Sequence, residues 1–311
     1  VKYIQRVHLI GGGGGNDFRF NCEDFCNNGS VLQEISVWAG ASCLHGIQVT
    51  LSNGQKRLQG KMSGSHKGYT ITNGQKTIGL SLWGNGIGTR CGGIKIRRSD
   101  GNVWQHKMTN WPLQTEYTID VGSGIPVGIM GRSGWDVDCL GFVFLKRITT
   151  CRTTDVRLDL SGDGVAKKRR ILSRELRNGT NLQQEMTFSA SSEVEVVETC
   201  SNASGLEIST EASITMGPPM CSASGGVTVT SSETRTQGRS VRKREMISDN
   251  YVIRVPPFTT VRAKMICWEA TFDVPYTPKV YTRFTDGTNT TTKTRGTYKG
   301  VSYSDAIMTY G

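Results

Sequence analysis

The chain has 311 residues, enough for two ordinary domains, and its 36% apolar content is low for a helical enzyme but suits short strands. Thirty-eight glycines with abundant Ser and Thr call for many turns, and no run approaches the ~18 apolar residues of a membrane helix. The net charge, 37 − 26 = +11, favours anionic surfaces such as acidic glycans or lipid headgroups; no helix-turn-helix, zinc-finger or RNA-stacking signature points to nucleic acid.

The charge is uneven. Residues 1–148 hold 16 basic and 9 acidic groups (16 − 9 = +7), and residues 149–311 hold 21 and 17 (21 − 17 = +4). Nine cysteines, an odd number, leave at least one thiol free or paired between chains, and Cys22 with Cys26 are close enough for a local staple. Asn28, Asn178, Asn202 and Asn289 open glycosylation sequons. Val1–Gly11 shows no secretory signal.

The first half is organised by a repeat. Ile35-Ser-Val-Trp leads to His45-Gly-Ile-Gln-Val, Leu80-Ser-Leu-Trp to Gly92-Gly-Ile-Lys-Ile, and Val127-Gly-Ile-Met to Leu140-Gly-Phe-Val-Phe. The shared glycines Gly46, Gly93 and Gly141 stand 47 and 48 residues apart, 93 − 46 and 141 − 93. Each unit reads as strand, glycine-bearing loop, strand, and three of them predict three small sheets around a pseudo-threefold axis. Two loops look chemical. Gly11 to Gly15 follow the expected strand Val7-His8-Leu9-Ile10; they make a tight turn or a phosphate cradle, but no Gly-Lys-Ser/Thr ending makes a P-loop. In Gly131 to Asp138, a carboxylate behind a glycine turn, with backbone N–H groups beside it, complements the vicinal hydroxyls of a sugar.

The repeat, the glycine loop and Gly134-x-x-x-Asp138 resemble the jacalin-related lectins. That resemblance implies a β-prism and carbohydrate binding by the Asp138 carboxylate and the Trp135 and Asp136 amides, with Gly14, Gly15, Asn16, Ser133, Gly134 and Val137 around them. Arg132 offsets Asp136 or pairs the carboxylate of an acidic sugar, and the expected ligands are cell-surface N-glycans, mannose-type or sialylated. A prism that has lost sugar binding and docks a partner is the alternative.

From about residue 149 the repeat stops, and Thr149-Thr150-Cys151 reads as a junction between domains 1–148 and 149–311. Lys167 to Arg170 is a nuclear signal, a solvated turn or a lipid-headgroup contact. Between Arg177 and Arg235 there is no Lys or Arg. Within this segment Leu206, Ile208, Thr210, Ala212, Ile214 and Met216 alternate with Glu207, Ser209, Glu211, Ser213 and Thr215, and Val227-Thr-Val229-Thr repeats the pattern after a turn-rich stretch. A period of two is that of a strand with one apolar and one wet face. The segment from about 186 to 237 therefore reads as a hairpin, extended by Val194 and Val196. Further strands are expected at Ser240 to Ile247, Tyr251 to Val255, Val261 to Phe272 with a stop at Pro275, and Tyr281 to Thr285.

These long Ser/Thr-rich strands around an amphipathic hairpin, with Val255-Pro-Pro-Phe-Thr-Thr-Val and Val274-Pro-Tyr, resemble the pore-forming module of aerolysin-type toxins, and with the jacalin-like front the whole is similar to the natterin-like proteins of vertebrates. The resemblance implies an extracellular, all-β protein of innate defence that assembles into homo-oligomers on membranes, with or without a dimer in solution. Leu206, Ile208, Ala212, Ile214, Met216, Val227 and Val229 would then face lipid, and Glu193, Glu195, Glu207 and Glu211 the pore. A disulfide at Cys200 or Cys221 would lock the hairpin. The rival is a lectin whose second half is a stalk. No zinc-spaced cysteine set, HExxH or Gly-x-Ser-x-Gly occurs, so neither metal, cofactor nor catalysis is expected; Asp136 and Asp138 sit too close on one loop for a glycosidase pair.

Overall fold

A computed structural model describes residues 2–71, 75–202, 213–230, 233–236 and 240–311. The protein is all-β, with one helix of four residues, Phe25–Asn28, among them. Two compact units are present.

The first unit contains the three expected sheets, each four-stranded. Every sheet is built on a central antiparallel hairpin of two eight-residue strands: Leu32–Ala39 with Leu44–Leu51, Thr77–Gly84 with Cys91–Arg98, and Pro126–Ser133 with Val137–Phe144. Trp38 faces Gly46, Trp83 faces Gly93 and Met130 faces Gly141, so the glycine spacing seen in the sequence is the register of the fold. The hairpins point Ile35, Val37, Ile47, Leu82, Ile94 and Phe142 into one shared core. Each such side chain gains about 1.5–3 kcal/mol on burial. Val137–Phe144 is buried at all eight positions, a strand covered on both faces.

The glycine run enters differently from the expectation. The strand before it is Ile10–Gly11, paired with Leu140 and Cys139, and Val7 to Leu9 lie outside it. The expected junction also differs. Thr149, Thr150 and Cys151 sit inside the strand Ile148–Thr154, which pairs with Lys279–Phe284. That strand forms a hairpin with Asn289–Lys293, and Pro278–Arg295 belong to this same unit. Cys151, Val280 and Phe284 share a second core with Phe25, Val127 and Val143, and Lys146 Nζ holds Asp286 Oδ2 at 2.6 Å. Burial of a late segment against an early one is invisible to local pattern.

In the second unit, strands run in the order Val165–Arg177, Thr260–Tyr276, Gly296–Tyr303, Gln184–Asn202 and Val241–Val255. Ile307–Tyr310 also pairs with Thr260–Tyr276. Leu176, Phe188, Ile253, Val255 and Met265 form a core here. Lys167 to Arg170 lie in a strand, opposite Ala270 to Cys267, and not in a turn. Pro275 does not end its strand: it pairs opposite Thr297, and the strand runs on to Tyr276. Ser240 to Val255, expected as two strands, is one strand from Val241. Val197 and Glu198 pair with Arg242 and Val241, and the ladder continues back to Gln184 opposite Val255.

The segment expected as a hairpin is therefore paired otherwise. Among the described residues, Ser213–Met216 runs parallel to the Ile148–Thr154 strand at Ser213 and Ile214, and Val227–Val229 pairs with Pro219–Cys221. A tight turn forces the latter: Ser222 N–H donates to Gly226 O at 2.8 Å, and Gly225 takes φ +81. Leu206, Glu207, Ile208, Glu211 and Ala212 lie outside the described residues, and Glu193 and Glu195 are placed by backbone alone, in Gln184–Asn202. Ile214 and Met216 are buried, Val227 is half-buried, and Val229 is exposed. None of the nine cysteines is joined in a disulfide. Cys26 Sγ meets Thr290 Oγ1 at 3.0 Å instead of Cys22, and Cys200 Sγ contacts Met216 Sδ, so no disulfide locks this region.

Asn178 is not available for a glycan. It is 1% exposed, and its amide donates to the carbonyls of Leu182, Val255 and Pro256 at 2.7, 3.0 and 3.0 Å. Replacing it leaves buried acceptors unmatched, so Asn178→Ala should cost about 2–3 kcal/mol in denaturant unfolding of the whole chain, with no change of glycan mass on the wild type at this site.

Candidate functional site

The loops of the three central hairpins meet at one end of the first unit. The chemistry there comes from the third repeat, Gly131 to Asp138, and from the glycine run packed on it. Asp138 is 8% exposed. Its carbonyl accepts from Gly12 N–H at 2.9 Å. A side chain at Gly14 would come within 2.7 Å of Asp138 Oδ1, and one at Gly15 within 2.4 Å of Oδ2. Gly15 also has φ +65, so glycine is required there twice over. The glycine run is thus a lid fitted to one carboxylate and leaves its oxygens close to open backbone.

By offset from the shared glycines, 141 − 3, 93 − 3 and 46 − 3, the positions equivalent to Asp138 are Arg90 and Cys43. Only the third repeat carries a carboxylate at this place. The expected residues are otherwise distributed as follows. Asn16 is exposed and pairs opposite Ser133 at the rim. Ser133 is buried and donates to Gln59 Oε1 at 3.0 Å. Gly134 N–H donates to Asp136 O at 3.1 Å, which closes the turn. Trp135 stands 83% exposed above it. Val137 is fully buried in the core, so its side chain reaches no ligand.

Arg132 is committed elsewhere than the sequence suggested. Its Nε and Nη2 donate to the carbonyls of Gly14 and Gly15 at 2.9 and 2.8 Å, and Nη1 to Asp17 Oδ1 at 2.8 Å. The planar guanidinium ties the glycine run down and does not face Asp136. The neighbours of Asp136 come instead from the other two repeats, which no motif indicated: Lys61 Nζ 3.3 Å from Oδ1, Arg90 Nε 3.3 Å from Oδ2, and His45 Nε2 4.0 Å from Oδ1. Arg90 Nε also stands 4.0 Å from Asp138 Oδ1. Burial, and then the charge of Asp136, push the Cys43 thiol up. The repeat itself was the only signal that these residues converge.

A family model described as Clostridium epsilon toxin ETX/Bacillus mosquitocidal toxin MTX2 matches residues 166–308. The crystal structure of the lamprey immune protein matches with 32% identity and a TM-score of 0.75, over 98% of each chain. The chain belongs to the family of the lamprey immune protein. In this chain an N-terminal half of three four-stranded sheets precedes the part that the toxin-family model matches. The first half also matches the wild-type Malaysian banana lectin (16% identity, TM-score 0.37, 45% of this chain and 96% of that one) and a mannose-binding jacalin-related lectin from Ananas comosus (18%, 0.37, 46% and 98%). No curated protein sequence matches the chain. The family model matched is that of a toxin family.

If Arg132 is the tie of the glycine run, Arg132→Ala should speed amide hydrogen exchange at residues 14–16 and cost about 1–2 kcal/mol. Exchange unchanged at those amides would show that the three hydrogen bonds hold nothing.

Proposed function

We propose that this member of the lamprey immune protein family is a glycan-binding, β-barrel pore-forming protein of innate defence. It acts outside the cell and then at the target membrane. The observation that carries the reading is Asp138, a nearly buried carboxylate held beneath a run of glycines, on a chain whose second half matches a pore-forming toxin family. Asp138 accepts from two sugar hydroxyls while the amides of Trp135 and Asp136 donate, and Trp135 offers its exposed face to the ring. A neutral mannose-type glycan suits this pocket better than a sialylated one, because each Arg132 nitrogen already holds a protein oxygen.

Docking raises the local concentration at the membrane and favours assembly. A lone two-stranded ribbon is marginal in water, and in lipid its unpaired N–H and C=O groups cost several kcal/mol each. Only a closed ring of ribbons removes those edges. The base-free segment then turns Leu206, Ile208, Ala212, Ile214, Met216, Val227 and Val229 to lipid, and Glu193, Glu195, Glu207 and Glu211 to the lumen. Insertion requires Ile214 and Met216 to leave the buried positions they occupy here. No disulfide hinders this rearrangement.

The test is dye release from liposomes bearing a mannosylated lipid. Wild type should release dye, free mannose should compete, and Asp138→Ala should lower release at least about tenfold while the protein stays folded. Binding without release would favour a lectin on a stalk; release equal on bare and mannosylated vesicles would remove the lectin step. Single channels should prefer cations, because acids without bases line the proposed lumen. An anion-selective reversal potential would place other residues there.

A further inference from the structure

We propose that Cys43, His45 and Asp136 form a binding site for a transition-metal cation of the zinc class, beneath the sugar loop at the end of the prism. The three ligand atoms lie within 4.8 Å of one another. They come from two repeats more than 90 residues apart in sequence, 136 − 45 = 91, and only the fold brings them together.

Three features of the geometry suit a metal. His45 Nδ1 lies 3.0 Å from the Ser63 carbonyl and 3.0 Å from the Ser63 hydroxyl. A carbonyl only accepts, so the proton sits on Nδ1 and the lone pair of Nε2 is turned toward Asp136. This is the outer-shell arrangement that fixes a ligating imidazole. Second, Nε2 and Asp136 Oδ1 face each other at 4.0 Å, too far for a hydrogen bond and wide enough for an ion to draw both inward. Third, Asp136 Oδ1 is buried, and among the described residues no hydrogen bond reaches it; this oxygen is met only by an ion pair with Lys61 Nζ at 3.3 Å and by His45 Nε2 at 4.0 Å. The carboxylate divides its work, with Oδ2 toward Arg90 and Oδ1 toward the cluster.

The donor set selects the ion. One thiolate sulfur, one imidazole nitrogen and one carboxylate oxygen make a three-ligand site for Zn²⁺ with water in the fourth position, and are too soft for Ca²⁺ or Mg²⁺. On binding, a metal–sulfur bond forms, and the Cys43 thiol proton leaves to bulk water. The ligands then carry two negative charges against the two positive charges of the ion. Lys61 is 40% exposed and swings out to solvent, and Arg90 keeps Oδ2 and the nearby Asp138. The bound ion would clamp the Cys43 and Asp136 loops and set the floor of the sugar loop.

Metal-stripped full-length protein titrated with Co²⁺ tests this without any membrane or sugar. One ion per chain should bind, with a thiolate-to-cobalt charge-transfer band and tetrahedral visible bands that Zn²⁺ abolishes. Cys43→Ser should lose the charge-transfer band, and Asp136→Asn should weaken binding by at least about tenfold with the fold intact by circular dichroism. No band in the folded wild type, a band that survives Cys43→Ser, or unchanged affinity in Asp136→Asn would each overturn the site. The first of these stands even where Cys43→Ser fails to fold.

Discussion

None of the three central hairpins can bury its own apolar face, and that constraint shapes the first unit. Ile35 and Ile47, Leu82 and Ile94, and Phe142 are useful only when all three hairpins close on one another. Closure fixes where the hairpin loops end up. It brings Cys43 and His45, Arg90, and Asp136 with Asp138 to one place, although they arise from different repeats. The candidate chemistry is therefore a consequence of core packing. Divergence at equivalent positions (Cys43, Arg90, Asp138) then makes the threefold scaffold chemically one-sided.

Around Asp138 the protein uses backbone where a side chain would not fit. Gly14 and Gly15 lie against the carboxylate, and Arg132 holds their carbonyls. A guanidinium beside a binding loop invites an electrostatic reading. Its hydrogen bonds give a mechanical one, because two of its nitrogens hold the Gly14 and Gly15 carbonyls and the third holds Asp17. The charge of Asp136 is instead balanced by Lys61 and Arg90.

The second unit depends on long antiparallel ladders. Gln184–Asn202 pairs with Val241–Val255, and Val165–Arg177 with Thr260–Tyr276, over 13 or more residues each. In Thr260–Tyr276 the buried positions run Ala263, Met265, Cys267 and then Ala270, Phe272, Val274, Tyr276. The phase slips at Trp268 and Glu269, so the buried side chains of one strand change face along its length. This is why simple alternation read the strand only in part.

The sequence alone determined the class of the protein. The 47- and 48-residue glycine spacing gave the three hairpins, period two gave the strands, and the glycine run with Gly134-x-x-x-Asp138 marked the candidate site. These signals are local, since side-chain direction and turn geometry are written over a few neighbouring residues. Only the tertiary structure decided partners. It turned Arg132 onto Gly14 and Gly15, buried the Asn178 sequon under three carbonyls, paired Ser213–Met216 with the Ile148–Thr154 strand, and set Cys43 and His45 beside Asp136. Such choices depend on which apolar faces meet across the whole chain, and no local period encodes that.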